Sequence, residues 1–79
     1  MSVISDIKDA GKNKKLLRIV YKKKDGEVTD RVVEPYEIRQ GRFFGYDTNK
    51  DSIREFIITG IIETEILEEE FEPRWEIKV

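Results

Sequence analysis

"LLRIVYKKKDGEVTDRVVEPYEIR" occupies residues 16–39, and its reading decides the fold. Residues 16–22 are rich in β-branched and aromatic types. They place Leu17, Ile19 and Tyr21 on one face and Leu16, Arg18, Val20 and Lys22 on the other. Asp25-Gly26 follows, a strong hairpin signal because glycine accepts a positive φ. The return stretch 28–34 sets Val28, Asp30 and Val32 against Thr29, Arg31 and Val33 on the opposite face. Two such strands joined by a tight turn form an antiparallel hairpin. Pro35 has no N–H to give a ladder, so a strand end or a corner is expected there, with "YEIR" (36–39) resuming beyond it.

Working outward, Gln40-Gly41 is a second tight turn, and "RFFGYD" (42–47) is a strand whose Gly45 predicts a bulge or bend. "TNKDS" (48–52) is a third turn, "IREFII" (53–58) a strand, and Thr59-Gly60 a break. "IIETEIL" (61–67) alternates with Ile62, Thr64 and Ile66 on one face, and "WEIKV" (75–79) reads as a last strand. At the other end, Val3, Ile7 and Ala10 recur at helical spacing over 2–10, with Ser2 as N-cap and Gly11 as stop. A helix under three turns is marginal alone, so its stripe must cover an open end of the sheet. Six or seven short strands and one helix give a mainly β expectation: a small SH3/Sm-like, partly closed antiparallel barrel with a short N-terminal helix. One domain spans 1–79, with helix and lead-in at 1–12 and the barrel at 16–79.

Composition narrows function by exclusion. The 79 residues include no cysteine and no histidine, which removes disulfides, thiolate nucleophiles, the commonest general base and the commonest zinc ligand. A carboxylate-only metal site stays open, but no stretch has the spacing of a calcium loop. A carboxylate pair such as Asp47 and Asp51 would have to catalyse unaided, from a turn of ordinary turn formers. A non-enzymatic domain without cofactor or metal is therefore expected. No apolar run approaches the roughly 20 residues that span a bilayer, and the first fifteen residues lack a signal-like apolar stretch. No membrane partner and a cytoplasmic location are expected.

Charge is unevenly spread. Residues 1–46 hold eleven Lys/Arg against seven Asp/Glu (+4), and residues 47–79 four against ten (−6), which together give the net −2. Two readings fit: a basic face for an anionic partner, or strands of the two halves lying side by side with their charges paired.

The ordered features resemble the WYL domain family. The carriers are Ile19-x-Tyr21, then Arg31-x-Val33-x-Pro35, Gly41-Arg42-Phe43-Phe44, Arg54-x-Phe56 and Ile61, with "FEPRW" (71–75) closing the chain. The resemblance covers roughly residues 16–79. Two departures stand out: the Trp-Tyr-Leu triplet reads Phe43-Phe44-Gly45, and the usual Leu-Asp-Arg reads Ile58-Thr59-Gly60, one basic group fewer. The resemblance implies a Sm/SH3-like ligand-sensing module. Its relatives occur mostly beside helix-turn-helix domains in bacterial regulators linked to phage defence or the DNA-damage response. Their arginine-rich pocket binds an anionic ligand such as a nucleotide or single-stranded nucleic acid. These 79 residues leave no room for a helix-turn-helix, so regulation would act through a ligand or partner.

Arg31 and Arg54 are the foremost candidates for that pocket, because each shares a face with apolar neighbours. An arginine so placed must snorkel outward, pair with an acid or line a pocket. Its planar fork suits phosphate. Arg42 and the rings of Tyr21, Phe44 and Tyr46 complete the expected ligand-binding set, the rings as base-stacking surfaces. The alternative is that Arg31 and Arg54 pair with Glu34, Glu55 or Asp47 while the rings are core. Lys22-Lys23-Lys24 is either an added phosphate attractor or a solubilising hairpin tip. A second class of function also fits: a protein-interaction adaptor, or a homo-oligomer joined through a sheet edge such as "WEIKV".

Overall fold

A computed structural model describes residues 2–79. Helix α1 (Val3–Lys12) precedes strands β1 (Lys15–Lys22), β2 (Val28–Arg39), β3 (Arg42–Asp47) and β4 (Ser52–Ile57). A single 3-10 turn (Ile58–Gly60) then leads into β5 (Ile61–Glu70). The chain is mainly β: one antiparallel sheet in the order β4-β3-β2-β1-β5, with one short helix. The sheet stops short of a closed barrel, leaving β4 and β5 as its edges. The 3-10 turn joins those edges directly. Next to it, the Ile57 N–H donates to the Tyr21 hydroxyl of β1 at 3.1 Å, and the Ile58 N–H to the Gly41 carbonyl at 3.0 Å.

The hairpin read from residues 16–39 is the centre of this sheet. Strand β2 pairs with β1 over Val28–Val33 and with β3 over Val33–Arg39, so one long strand serves both halves. Pro35 sits inside it, fully buried, with a register shift between Pro35 and Glu37. It marks the corner and not an end, because the bulge lets the ladder bend where proline has no N–H to contribute. The bend expected at Gly45 belongs to its partner strand, since β3 pairs with β4 without interruption. Gly45 answers a space requirement instead: a Cβ there would stand 3.0 Å from the Phe43 ring and 3.2 Å from Val33. At the β2–β3 turn, Gln40 and Gly41 have φ of 51° and 77°, as a two-residue hairpin turn with two left-handed residues requires.

Inward alternation builds the core from Leu17, Ile19, Val33, Phe43, Phe56 and Ile61, with Ile7 and Ala10 of α1 laid over it. Phe43 and Phe56 are stacked at 5.9 Å, and Tyr21 meets Phe56 edge-on at 5.0 Å. The helix starts at the Ser2 cap, whose hydroxyl accepts from the Ser5 N–H. It runs through Gly11 to Lys12, so Gly11 is not its stop. Gly11 is buried under Ile77 and Val79, where an added methyl would collide with Val79.

Three further expectations are corrected. Among the described residues there are five strands, not six or seven. Residues 75–79 are not a strand: Lys78 alone makes a bridge, to Glu37, while Trp75 is half-exposed. Ile62 does not share a face with Thr64 and Ile66, because β5 shifts register against β1 between Val20 and Tyr21. The shift turns Ile61 inward and leaves Ile62 exposed. The charge asymmetry between the halves resolves largely as pairing. Lys15 reaches Glu70, Arg18 reaches Glu63 and Glu65 as well as Asp30, and Arg42 reaches Glu55.

Candidate functional site

The inner face of the sheet carries a polar concavity at one end. It measures about 300 Å³ and lies between the β1–β2 hairpin tip and the β3–β4 turn. Lys23, Glu27, Thr29, Asp30, Arg31, Asp47, Asn49 and Lys50 line it. Register explains the location. Ile19 pairs with Arg31 and Val33 with Asp47, so the strands that bury Ile19 and Val33 must also deliver an arginine and an aspartate to the rim of the core. Neither can remain alone there.

They meet each other. Arg31 Nη1 donates to Asp47 Oδ2 at 2.6 Å, and its Nε to the Thr29 hydroxyl at 3.3 Å. The Arg31 side chain is 15% exposed and that of Asp47 only 1%. The other carboxylate oxygen, Oδ1, accepts the N–H groups of Asn49 and Lys50 at 3.0 and 3.2 Å. Burial by itself would raise the Asp47 carboxyl. The Arg31 hydrogen bond, the Lys50 and Asn49 N–H groups and the guanidinium charge outweigh it and hold the carboxyl below its ordinary value. The Nη2 of Arg31 makes no hydrogen bond among the described residues.

The remaining lining charges are distributed unequally. Glu27 pairs with Lys23 at 3.3 Å, and Asp30 pairs with Arg18 on the outer side of the sheet. Lys50 has no ion-pair partner among the described residues. The concavity therefore offers two cationic donors not fully used, Arg31 Nη2 and Lys50, in a wall whose acids are already engaged.

Of the six expected ligand-binding residues, only Arg31 lines this concavity. Tyr21 lies on the same face, but its ring packs on Phe56 and its hydroxyl holds the Ile57 N–H. Arg54 also shares the face, opposite Gly45. It stands on the other side of the Val33–Asp47–Ser52 pairing, exposed and without a side-chain partner among the described residues. Arg42, Phe44 and Tyr46 alternate onto the outer face. Arg42 pairs with Glu55, Phe44 lies under Arg39 at 5.4 Å, and Tyr46 lies under Arg74 at 4.0 Å. That outer cluster is finished by the C-terminal segment. Trp75 meets Tyr36 edge-on at 5.3 Å and Tyr46 at 6.0 Å, and Glu34 accepts from both Tyr36 and Arg74. Burial and the Glu34 carboxylate push the Tyr36 phenol up to about 12, against the smaller opposing pull of the Arg74 N–H and charge.

The other lining residues lie outside the expected set, and Thr29, Asn49 and Lys50 have no part in any expected site at all. Their signal was faint: Thr29 shares the Arg31 face, and the "TNK" following Asp47 is turn chemistry that doubles as cavity wall. The two departures from the family pattern have local causes. Gly45 is confined by Phe43 and Val33, and Gly60 ends a 3-10 turn laid against the Tyr21 ring and the Lys22 carbonyl.

Residues 2–66 match the family model of the WYL domain. No curated protein matches the chain. Among solved structures, Proteasome accessory factor B/C (PafBC) of Arthrobacter aurescens superposes with a TM-score of 0.78 at 20% identity. The superposition covers 95% of this chain and 13% of that protein, and at such identity the likeness is one of fold.

Proposed function

The chain belongs to the WYL domain family, and on that footing we propose that it is a ligand-sensing module, not an enzyme. It binds an anionic ligand, a nucleotide or single-stranded nucleic acid, in the concavity at Arg31. The observation that carries this reading is the Arg31 guanidinium, fixed by Asp47 and Thr29 yet left with an unused Nη2 beside Lys50. A fixed guanidinium has little rotamer freedom to lose on binding phosphate. Arg54, exposed on the same face, serves as an outlying attractor. A regulatory role, including one in phage defence or the DNA-damage response, would follow from what the ligand reports.

Titrating free nucleotides and labelled single-stranded oligonucleotides separately, each at two salt concentrations, tests the reading and separates the two ligand sources. Binding must weaken steeply with salt for the strand, and Arg31→Ala must lose most of the affinity for whichever ligand binds. Unchanged affinity in Arg31→Ala refutes the assignment.

One observation favours a second reading, a self-associating adaptor: both sheet edges are unpaired, and they expose Ile53 on β4 and Ile62 on β5. Mass by light scattering that rises with concentration, and falls back in Ile62→Lys, is the outcome it requires.

A further inference from the structure

Asp47 already does to Arg31 what an anionic ligand would do. Its Oδ2 takes Nη1, while Oδ1 takes two backbone N–H groups. An oxyanion arriving at the concavity finds Nη2 open, but a guanidinium binds phosphate most strongly through two adjacent N–H groups. Both two-point edges that include Nη2 are already engaged at one end, Nε–Nη2 by the Thr29 hydroxyl and Nη1–Nη2 by Asp47, and of the two occupants only Asp47 is charged.

Resting on the reading of Arg31 as the ligand's anchor, we infer that Asp47 is a resident competitor that selects for a terminal phosphate dianion. A phosphodiester or a carboxylate carries one negative charge and would exchange one monoanion for another at the guanidinium, with little gain. A terminal phosphate is largely doubly charged at neutral pH and gains Coulomb energy in the exchange. Lys50, a lining cation with no ion-pair partner among the described residues, adds a second positive charge to the wall that a dianion uses better than a monoanion. The chemistry recognised is a phosphate monoester, whether on a nucleotide or at the end of a strand.

The experiment compares a nucleoside 5′-monophosphate with its 3′,5′-cyclic monophosphate by calorimetric titration of wild type, Asp47→Asn and Arg31→Gln. Wild type should prefer the monophosphate about tenfold. Asp47→Asn should bind both tighter and lose most of the preference, and Arg31→Gln should bind neither. A 5′-phosphorylated oligonucleotide against its 5′-hydroxyl form is the strand arm, with the same preference expected. If Arg31→Gln loses binding but Asp47→Asn binds no tighter and keeps the wild-type ratio, the competitor role is overturned and the Arg31 site stands. If no protein binds any probe, the site reading itself falls, and the inference with it. Should Asp47→Asn fail to fold, wild type decides by carbon NMR of the Asp47 carboxyl. Its titration midpoint must rise when the monophosphate saturates the protein, and an unmoved midpoint overturns the inference.

Discussion

Arg31 and Asp47 show how two charged side chains come to sit at the edge of an apolar core. Each is delivered there by strand alternation, and each is tolerable only because of the other. Removing one partner leaves a desolvated charge, so Asp47→Ala should destabilise the fold by about 3 kcal/mol in urea unfolding. The same residue sets the acid limit. A carboxyl held low in the folded state contributes stability that is fully present above its unfolded value of about 3.9 and disappears as pH falls through the folded value. Wild type should therefore lose stability below about pH 4 more steeply than Asp47→Asn. Tyr36 sets the opposite limit. Its phenol is pushed up to about 12 from 10.0, so its contribution is intact below pH 10 and is lost as pH rises through that interval. Tyrosinate absorbance should show a step near pH 12 that Tyr36→Phe lacks; a step remaining in the variant would reassign it.

Among the elements, two of the three register shifts decide the architecture. The one between Pro35 and Glu37 allows β2 to serve two partners, and the one between Val20 and Tyr21 reverses the facing of Ile61 and Ile62. Ile61→Ala should cost about 3 kcal/mol, as truncation of a buried isoleucine does, whereas Ile62→Ala should stay within about 0.5 kcal/mol. Comparable costs at the two positions would contradict the register. At the β2–β3 turn, Gly41→Ala puts a side chain at φ 77° and should cost about 1 kcal/mol by thermal unfolding. These details explain what could be read beforehand. The hairpin over 16–34, the turns at Asp25-Gly26 and Gln40-Gly41 and the capped helix each depend on local chemistry, so the residues announce them. A bulge depends on which partner lies across the sheet, and alternation counted along one strand is blind to it. The face of Ile62 was lost in that way. The site was half legible for the same reason. Arg31 stood out as an arginine among apolar neighbours, but its distance from Arg42, Phe44 and Tyr46 follows from the pairing of strands far apart in sequence. "WEIKV" alternates convincingly, yet it meets the open flank of β2 only at the single bridge to Glu37.

For the whole molecule, the pairings form one line that crosses every strand: Ile66 on β5, Leu17 on β1, Val33 on β2, Asp47 on β3 and Ser52 on β4. No other row reaches across the sheet. It runs from the core under α1 to the polar concavity, with Asp47 at the boundary. The wall of the concavity and Val33 of the hydrophobic cluster are thus neighbours on the same rung. A displacement of Asp47 would be transmitted to Val33 through the backbone ladder itself, with no intervening loop. Amide hydrogen exchange would make this visible: the slowest positions should lie at Leu17 and Val33 in the free protein, and occupancy of the cavity should change protection along that rung while leaving the distant hairpin at Gln40-Gly41 as it was. The sheet would then act as the spine along which a binding event is felt, a role that its width alone would not have disclosed.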